Sequence, residues 1–133
     1  DVGHGQLDWS LRQDQRVVVL ERTNARHLTR TEVPEPVDLV VCDASFIGLR
    51  TVLPAPLALT KPRAALVALI KPQFEAGPEK LGKGGIVRDD TLHQQAVARV
   101  ASVAESLGFR AETIESPILG AEGNKEFLLH ARH

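Results

Sequence analysis

The stretch LVALIKPQFE, residues 66–75, begins as a buried strand and ends in a charged turn. Its first five residues are branched apolar residues or alanine, the composition of a strand that is covered on both faces. Lys71 stands where this strand has to end, because Pro72 follows it and proline cannot donate to a sheet. A lysine at the end of a buried strand is either a surface charge at the start of a loop or a general base.

Other segments repeat the pattern of a short apolar run followed by polar residues. The runs at 16–21, 37–46 and 63–72 are bounded by charged residues or prolines, which is typical of parallel strands covered by helices. Residues 109–116 and 126–132 complete a set of five predicted strands.

Helical periodicity is clearest in residues 89–109, where apolar side chains recur on one face. One of two aspartates at the start can cap the first turn, and Gly108 stands where a helix commonly ends. Shorter helices are predicted at 6–13 and at 49–59, the second limited or kinked by two prolines. The alternation of strands and helices predicts an α/β fold with a mostly parallel sheet, in which ligands bind beyond the carboxyl ends of the strands.

Composition and charge exclude several functional classes. The 133 residues suit one domain, and a net charge of −1 provides no overall field for a polyanion, so nucleic acid would need a local patch. The only cysteine, Cys42, favours a reducing compartment such as the cytoplasm. No apolar run approaches the ~20 residues of a membrane span. Because the chain has no methionine and starts with DVGHGQLDW, we expect that the fold begins before Asp1.

Three ionisable side chains are predicted to converge on one edge of the sheet. Asp43 and Lys71 end neighbouring strands, and Glu126 begins the last strand just after the turn EGNK. If the last strand is antiparallel, its start lies at the edge where the other strands end. A lysine between two carboxylates can take a proton from a hydroxyl. The same three residues also fit a structural cluster of ion pairs, and their spacing alone does not separate the two interpretations.

Five segments around these residues resemble the TlyA (hemolysin A) family of RrmJ/FtsJ-like ribosomal RNA 2′-O-methyltransferases. They are DVGHGQLDWSLRQDQRVVVLERTNAR, DLVVCDASFI, LVALIKPQFEAG, GKGGIVRD and SPILGAEGNKEFLLH, and together they cover nearly the whole chain. The order and spacing of KPQFE and GNKEFLLH make the resemblance specific. It implies a Rossmann-like class I methyltransferase sheet flanked by helices, mostly parallel with an antiparallel last strand. It also implies S-adenosylmethionine as cofactor and a ribose 2′-hydroxyl of ribosomal RNA as substrate, with cytidine as the expected nucleotide.

The resemblance assigns catalytic roles to three positions. Asp43 matches the aspartate of a Lys-Asp-Lys-Glu tetrad, Lys71 its second lysine and the expected base, and Glu126 its glutamate. The first tetrad lysine, the first strands, the glycine-rich cofactor loop and an S4-type RNA-binding domain match nothing in the chain. We expect them upstream of residue 1, so residues 1–133 are expected to be an N-terminally truncated methyltransferase domain that is inactive alone.

The cofactor-binding positions also follow from the resemblance. Asp1 matches the acidic residue that holds the ribose hydroxyls of S-adenosylmethionine, a role that suits a carboxylate because it accepts from both hydroxyls. Thr23 and Asn24 match the loop near the adenine. Asp43 is expected to border the cofactor as well as the substrate.

Aromatic and basic residues near the predicted site are candidates for contact with RNA. Phe46 and Phe74 follow the catalytic candidates and could stack on a base, although aromatic cover over a strand end is the alternative. Lys80, Lys83 and Arg88 lie on a long glycine-rich segment and could contact phosphates, or they could be solvated.

Other chemistries fit the sequence less well. Base N-methylation usually uses an Asn-Pro-Pro-aromatic turn where this chain has DASF. Strand alternation points Cys42 away from Asp43, so a thiol nucleophile is not expected. His130 and His133 have no third ligand at usable spacing, so no metal is predicted. A non-catalytic RNA-binding protein, a hemolysin-like protein and a nicotinamide dehydrogenase stay as alternatives, and the oligomeric state is undetermined.

Overall fold

One four-stranded sheet forms the centre of the protein. The computed structural model describes residues 1–77, 81–82 and 84–133. The strand order is β1-β2-β4-β3. β1 and β2 pair in parallel, whereas β4 pairs antiparallel with both of its neighbours. Within the described residues the strands are β1 (Val37–Cys42), β2 (Thr60–Ile70), β3 (Arg110–Glu115) and β4 (Phe127–Arg132).

The helices are short apart from one. The described α-helices are α1 (Trp9–Arg12), α2 (Leu49–Val52), α3 (Pro54–Leu57), α4 (Pro72–Glu75) and α5 (Asp90–Ser106), with 3-10 helices at Ala25–His27 and Ala121–Gly123. Asp89 caps α5, because its side chain accepts a hydrogen bond from the Thr91 amide. Gly108 follows the helix with φ 91°, a left-handed conformation that glycine adopts without strain.

The hydrophobic core lies between α2, α3, α5 and one face of the sheet. Its largest fully buried side chains come from all of these layers, and they are Leu53, Leu66, Ile70, Val100 and Leu129. Because strand side chains alternate, every second residue of β2 and β4 reaches this core. The core therefore fixes the register of the strands whose ends carry the predicted site.

The predicted fold class is confirmed, including the antiparallel last strand. The predicted strands 109–116 and 126–132 correspond to β3 and β4, and the predicted helix 89–109 corresponds to α5. The predicted helix 49–59 is divided into α2 and α3, since Pro54 begins a new helix. The predicted helix 6–13 is reduced to α1.

The predicted strand at 16–21 is wrong. No strand is present there in the described chain, and this segment is instead held by hydrogen bonds outside any sheet, such as Val17 N to Asp14 O at 3.0 Å and Asp1 N to Leu20 O at 2.9 Å. An apolar run becomes a strand only where another strand satisfies its backbone groups. Within the described residues, the sheet ends at β1 and offers this segment no place.

The expectation that the strands are covered on both faces holds for one face only. Val41 is 71% exposed, and Leu39, Val67 and Ile114 are also exposed on the sheet face opposite α5. Within the part of the chain that the structure describes, α2, α3 and α5 pack on the other face. No helix among these residues is both long and apolar enough to cross a bilayer.

Candidate active site

The sheet brings the ends of three strands together at one edge. β1 and β2 are parallel, so Asp43 and Lys71, which follow them, leave the sheet side by side. β4 runs the other way, so Glu126, which precedes it, lies at the same edge. The strand order places Asp43, Lys71 and Glu126 in a row, with about 4.8 Å between neighbouring strands.

Lys71 is at the centre of this row and contacts Asp43. Its Nζ atom lies 2.6 Å from Oδ1 of Asp43 and donates a hydrogen bond to Oγ of Ser45 at 3.3 Å. The Lys71 side chain is 14% exposed, whereas that of Asp43 is 70% exposed. An ammonium has three N–H donors, and Asp43 and Ser45 occupy two of them. The amine is thus held on one side by its own protein and can present its third position to another group.

Glu126 lies at the same edge but makes no ion pair with Lys71 in the described chain. Ile70 of β2 pairs with Phe127 of β4, so the next residues along the two strands, Lys71 and Glu126, face each other. The Glu126 side chain is buried, with 7% of the residue exposed. The two residues are therefore neighbours by register.

The Glu126 carboxylate is packed against the backbone of Gly120. A Cβ atom at Gly120 would overlap Oε2 and Cδ of Glu126, so this approach is possible only for glycine. The Glu126 carbonyl accepts a hydrogen bond from the Ser116 amide at 2.9 Å, which closes the loop between β3 and β4. This loop therefore determines where the carboxylate lies.

Phe46 and Phe74 form an aromatic pair on the segments that follow β1 and β2. Their ring centroids are 5.1 Å apart, with the planes tilted by 54°. Phe46 is 89% exposed and has φ 64°, a conformation that is unusual for a bulky side chain. An exposed aromatic ring on a strained backbone is typical of a surface that contacts a ligand.

The predicted cofactor residues near the start of the chain lie together. The Thr23 amide donates to the Asp1 carbonyl at 2.9 Å, and the Gly3 amide donates to Oδ1 of Asp1 at 2.7 Å. Oδ1 of Asn24 accepts from the Arg26 amide and caps the 3-10 helix that packs against α2 and α3. Among the described residues, no hydrogen bond or ion pair joins this group to Asp43.

The thiol of Cys42 is directed into the core beside the site. Burial raises the pKa of Cys42, the Asp43 carboxylate raises it further, and Lys71 lowers it in part. The thiolate is therefore disfavoured, which agrees with the expectation that Cys42 is no nucleophile.

Of the predicted phosphate contacts, only Arg88 can be placed. Arg88 is exposed and follows Val87 directly, whereas Lys80 and Lys83 lie outside the described residues. Over residues 1–77, 81–82 and 84–133, no group of three or more His, Cys, Asp or Glu side chains could hold a metal ion.

The family model for FtsJ-like methyltransferases matches residues 1–133. The chain belongs to the FtsJ-like methyltransferase family. Among relatives of this FtsJ-like chain, the 16S/23S rRNA (cytidine-2′-O)-methyltransferase TlyA of Mycobacterium tuberculosis is 51% identical over 133 residues, which are 99% of this chain and 50% of the relative. Hemolysin A of Brachyspira hyodysenteriae is 40% identical over 136 residues, or 98% of this chain and 55% of the relative.

A solved structure shows the same fold. The crystal structure of a hemolysin-named protein from Lactococcus lactis superposes on the FtsJ-like chain with a TM-score of 0.92 and 41% identity, covering 98% of this chain and 64% of that one. The FtsJ-like chain spans about half the length of the curated relatives it matches.

The FtsJ-like chain also brings residues to the site that the sequence analysis did not single out. Ser45 contacts Lys71 and is visible in the sequence only as part of DASF. Asn124 is buried, accepts from the Val87 amide at 2.9 Å and donates to the carbonyls of Gly85 and Ala121 at 3.3 and 3.1 Å. An asparagine in the turn EGNK is expected for the turn itself, so the sequence gives no separate signal for this role.

Buried His93 extends the Asn124 contacts into α5. Its Nε2 atom donates to the Val87 carbonyl at 2.8 Å, and its Nδ1 atom lies 3.1 Å from Oδ1 of Asp90. Asn124 and His93 therefore bind the two backbone groups of Val87 from opposite sides. They connect the glycine-rich segment to the loop that carries Glu126.

Proposed function

We propose that the protein carrying this chain transfers a methyl group from S-adenosylmethionine to a ribose 2′-hydroxyl of ribosomal RNA, with a cytidine as the target. The chain forms the part of the methyltransferase domain that contains the base and two of its partners. The observation that carries the proposal is the amine of Lys71, nearly buried at the strand edge, 2.6 Å from Asp43 and opposite Glu126 by register. The names of the rRNA methyltransferase relatives support the same reaction.

In the proposed reaction Lys71 is the general base. S-adenosylmethionine supplies a methyl group made electrophilic by a positively charged sulfur. With a ribose 2′-hydroxyl within hydrogen-bond reach of its amine, Lys71 would take the hydroxyl proton as the methyl group passes to the 2′-oxygen, and the demethylated cofactor would leave as a neutral thioether.

The carboxylates of the row act on the lysine after proton transfer. Asp43 already lies in contact with the amine, so it stabilises the ammonium that the reaction produces. Ser45 accepts a second N–H and orients the amine. Glu126, which faces Lys71 across the sheet, supplies a further negative charge at the same edge. These interactions strengthen as positive charge develops on Lys71, and such differential stabilisation accelerates a reaction.

The residues at the start of the chain fit the cofactor. The exposed carboxylate of Asp1 is oriented by the Gly3 amide and can accept from ribose hydroxyls. Thr23 lies beside it, and the amide nitrogen of Asn24 is the atom of that side chain not used for capping, so it can contact the adenine. Asp43 borders the methyl-transfer position because it adjoins Lys71.

The aromatic pair and the basic residues fit an unstacked stretch of RNA. Phe46 and Phe74 present π-faces on which a splayed-out base can stack, the common mode of sequence-tolerant RNA binding. Arg88, together with Lys80 and Lys83, supplies positive charge for phosphates. Because the net charge is −1, such local contacts have to provide the attraction for RNA.

Methyl transfer to ribosomal RNA by the full-length protein, followed by alkaline hydrolysis, tests this function. A 2′-O-methylated nucleotide resists alkali because its 2′-oxygen cannot attack the phosphate. We expect label from the cofactor in an alkali-resistant dinucleotide that contains cytidine. Label on a base would contradict the proposed reaction. RNA binding without any transfer would identify a non-catalytic RNA-binding protein instead.

A further inference from the structure

We propose that Glu75 is a positioning residue for this reaction, which ties the segment after β1 to the turn after β2 and so fixes Asp43 against Lys71. Its catalytic meaning rests on the proposed function. The contacts that carry it are structural and stand independently.

The segments that follow β1 and β2 run side by side beyond the sheet. They meet at three successive points, from the sheet outward. The contacts are Asp43 Oδ1 with Lys71 Nζ at 2.6 Å, the Phe46 ring with the Phe74 ring at 5.1 Å, and the Leu49 amide with Glu75 Oε1 at 2.8 Å. Of the three contacts, the one between Glu75 and Leu49 is farthest along both segments.

Glu75 supplies a helix cap that the local sequence lacks. The residue before α2 is Gly48, which has no side chain to accept from the first amides of the helix. The Glu75 carboxylate takes this role from 26 residues away, by accepting from the Leu49 amide. Leu49 itself is buried in the core, so the bond anchors the segment after β1 to a fixed point.

Gly48 makes the close approach possible. A Cβ atom at Gly48 would lie 3.1 Å from Oε2 of Glu75 and 3.6 Å from the Phe74 carbonyl oxygen. The first distance is tighter than ordinary contact, so an added methyl group would make the carboxylate give by a few tenths of an ångström. The missing side chain of Gly48 therefore leaves room for the Glu75 carboxylate.

Arg99 binds the backbone of Glu75. Its Nη1 atom donates to the Glu75 backbone carbonyl at 2.9 Å, which fixes the turn after β2 to α5. Burial raises the pKa of the Glu75 carboxyl, while the Leu49 amide and Arg99 lower it in part. Glutamine has the same shape and a neutral acceptor oxygen. It would keep the hydrogen bond from the Leu49 amide without burying a charge, so Glu75→Gln is the conservative substitution.

The test compares Glu75→Ala with Glu75→Gln in the full-length protein, with Glu105→Ala, an exposed change on α5, as control. Glu75→Ala should lower kcat for methyl transfer at least tenfold, leave both KM values within threefold and speed Leu49 amide exchange at least tenfold. Glu75→Gln should stay within threefold of the parent protein in all of these quantities. Faster Leu49 exchange with unchanged kcat would make Glu75 merely structural and overturn the proposal.

A readout independent of activity separates this proposal from the proposed function. The NMR signal of the Lys71 side-chain amine reports its contact with Asp43. That signal should move in Glu75→Ala and stay in place in Glu75→Gln. An unmoved signal in Glu75→Ala would refute the positioning role even in a protein that transfers no methyl group. If Glu75→Ala fails to fold, the same signal is compared in Gly48→Ala, whose methyl group would make the Glu75 carboxylate give by a few tenths of an ångström and should therefore move the signal in the same direction by a smaller amount.

Discussion

Nζ of Lys71 and Oδ1 of Asp43 lie 2.6 Å apart across the carboxyl ends of two parallel strands. The register of β1 and β2, which the buried faces of the strands determine, produces this contact. Asp43, Lys71 and Glu126 each lie directly beside the end of a strand, so the sheet places all three, whereas Phe46 lies in the loop after β1.

Gly120→Ala should displace the Glu126 carboxylate. The added methyl group would occupy the position of the carboxylate, so we expect unfolding to become easier by about 1–3 kcal/mol. Urea denaturation measures this change. In a Glu126→Ala background the overlap is absent, so the effect of Gly120→Ala should shrink to a few tenths of a kcal/mol. Equal effects in both backgrounds would show that Gly120 acts through something other than Glu126.

Asn124→Ala should loosen the glycine-rich segment. The change leaves the buried Val87 amide without its acceptor, at a cost of about 1–3 kcal/mol. Hydrogen exchange of the Val87 amide should accelerate accordingly. Gln94→Ala, an exposed change on α5, is the matched control and should leave the exchange rate unchanged. Full Val87 protection in Asn124→Ala would show that the Asn124 side chain does not hold the glycine-rich segment.

Glu75→Gln should alter the dependence of stability on pH. Burial raises the pKa of Glu75, so the folded state prefers the protonated form more than the unfolded state does. The contribution of Glu75 to the free energy of unfolding is fully present below the ordinary glutamate pKa. It is lost as the pH rises through the raised pKa of the folded state. Glu75→Gln removes that loss, so the variant should gain stability relative to the parent protein across this interval. Parallel curves for the two proteins, measured by urea denaturation at several pH values, would contradict this expectation.

Phe46→Ala should weaken RNA binding without affecting the fold. The ring is 89% exposed, so its removal takes almost nothing from the core. Loss of one base–aromatic stack costs about 1–3 kcal/mol, which is a five- to 150-fold rise in Kd at constant salt. Fluorescence anisotropy with a single-stranded RNA measures this change. Ile118→Ala, another exposed apolar position, is the control. Unchanged RNA affinity would favour the alternative that Phe46 only covers the strand end.

Much of the fold could be predicted because the signals were local. Apolar runs ending at Asp43 and Lys71 identified neighbouring parallel strands, and the long helical periodicity identified α5. The strand predicted at 16–21 failed because strand formation depends on a partner, which an apolar run cannot reveal by itself. The exposure of Val41 was not predicted for a similar reason. The apolar composition of a strand shows that a face can be buried, but it does not show whether anything packs on that face.

The site could be predicted only in part, for a related reason. The order of the strands brings Asp43, Lys71 and Glu126 to one edge, and this follows from topology. The position of the Glu126 carboxylate against Gly120 depends on packing that no motif in the sequence reveals. Ser45 and Glu75 act through contacts 26 residues away along the chain, which no short motif encodes.

The most direct test of the account is methyl transfer by the full-length protein with Lys71→Met, measured together with S-adenosylmethionine affinity by calorimetry. Methionine keeps an unbranched apolar side chain, one atom shorter than that of lysine, but cannot accept a proton. Removal of a general base should lower kcat by about 10²–10⁴-fold, with cofactor affinity within about threefold, because Lys71 is assigned no cofactor contact. Turnover within threefold of the parent protein would contradict the assignment of Lys71 as the base.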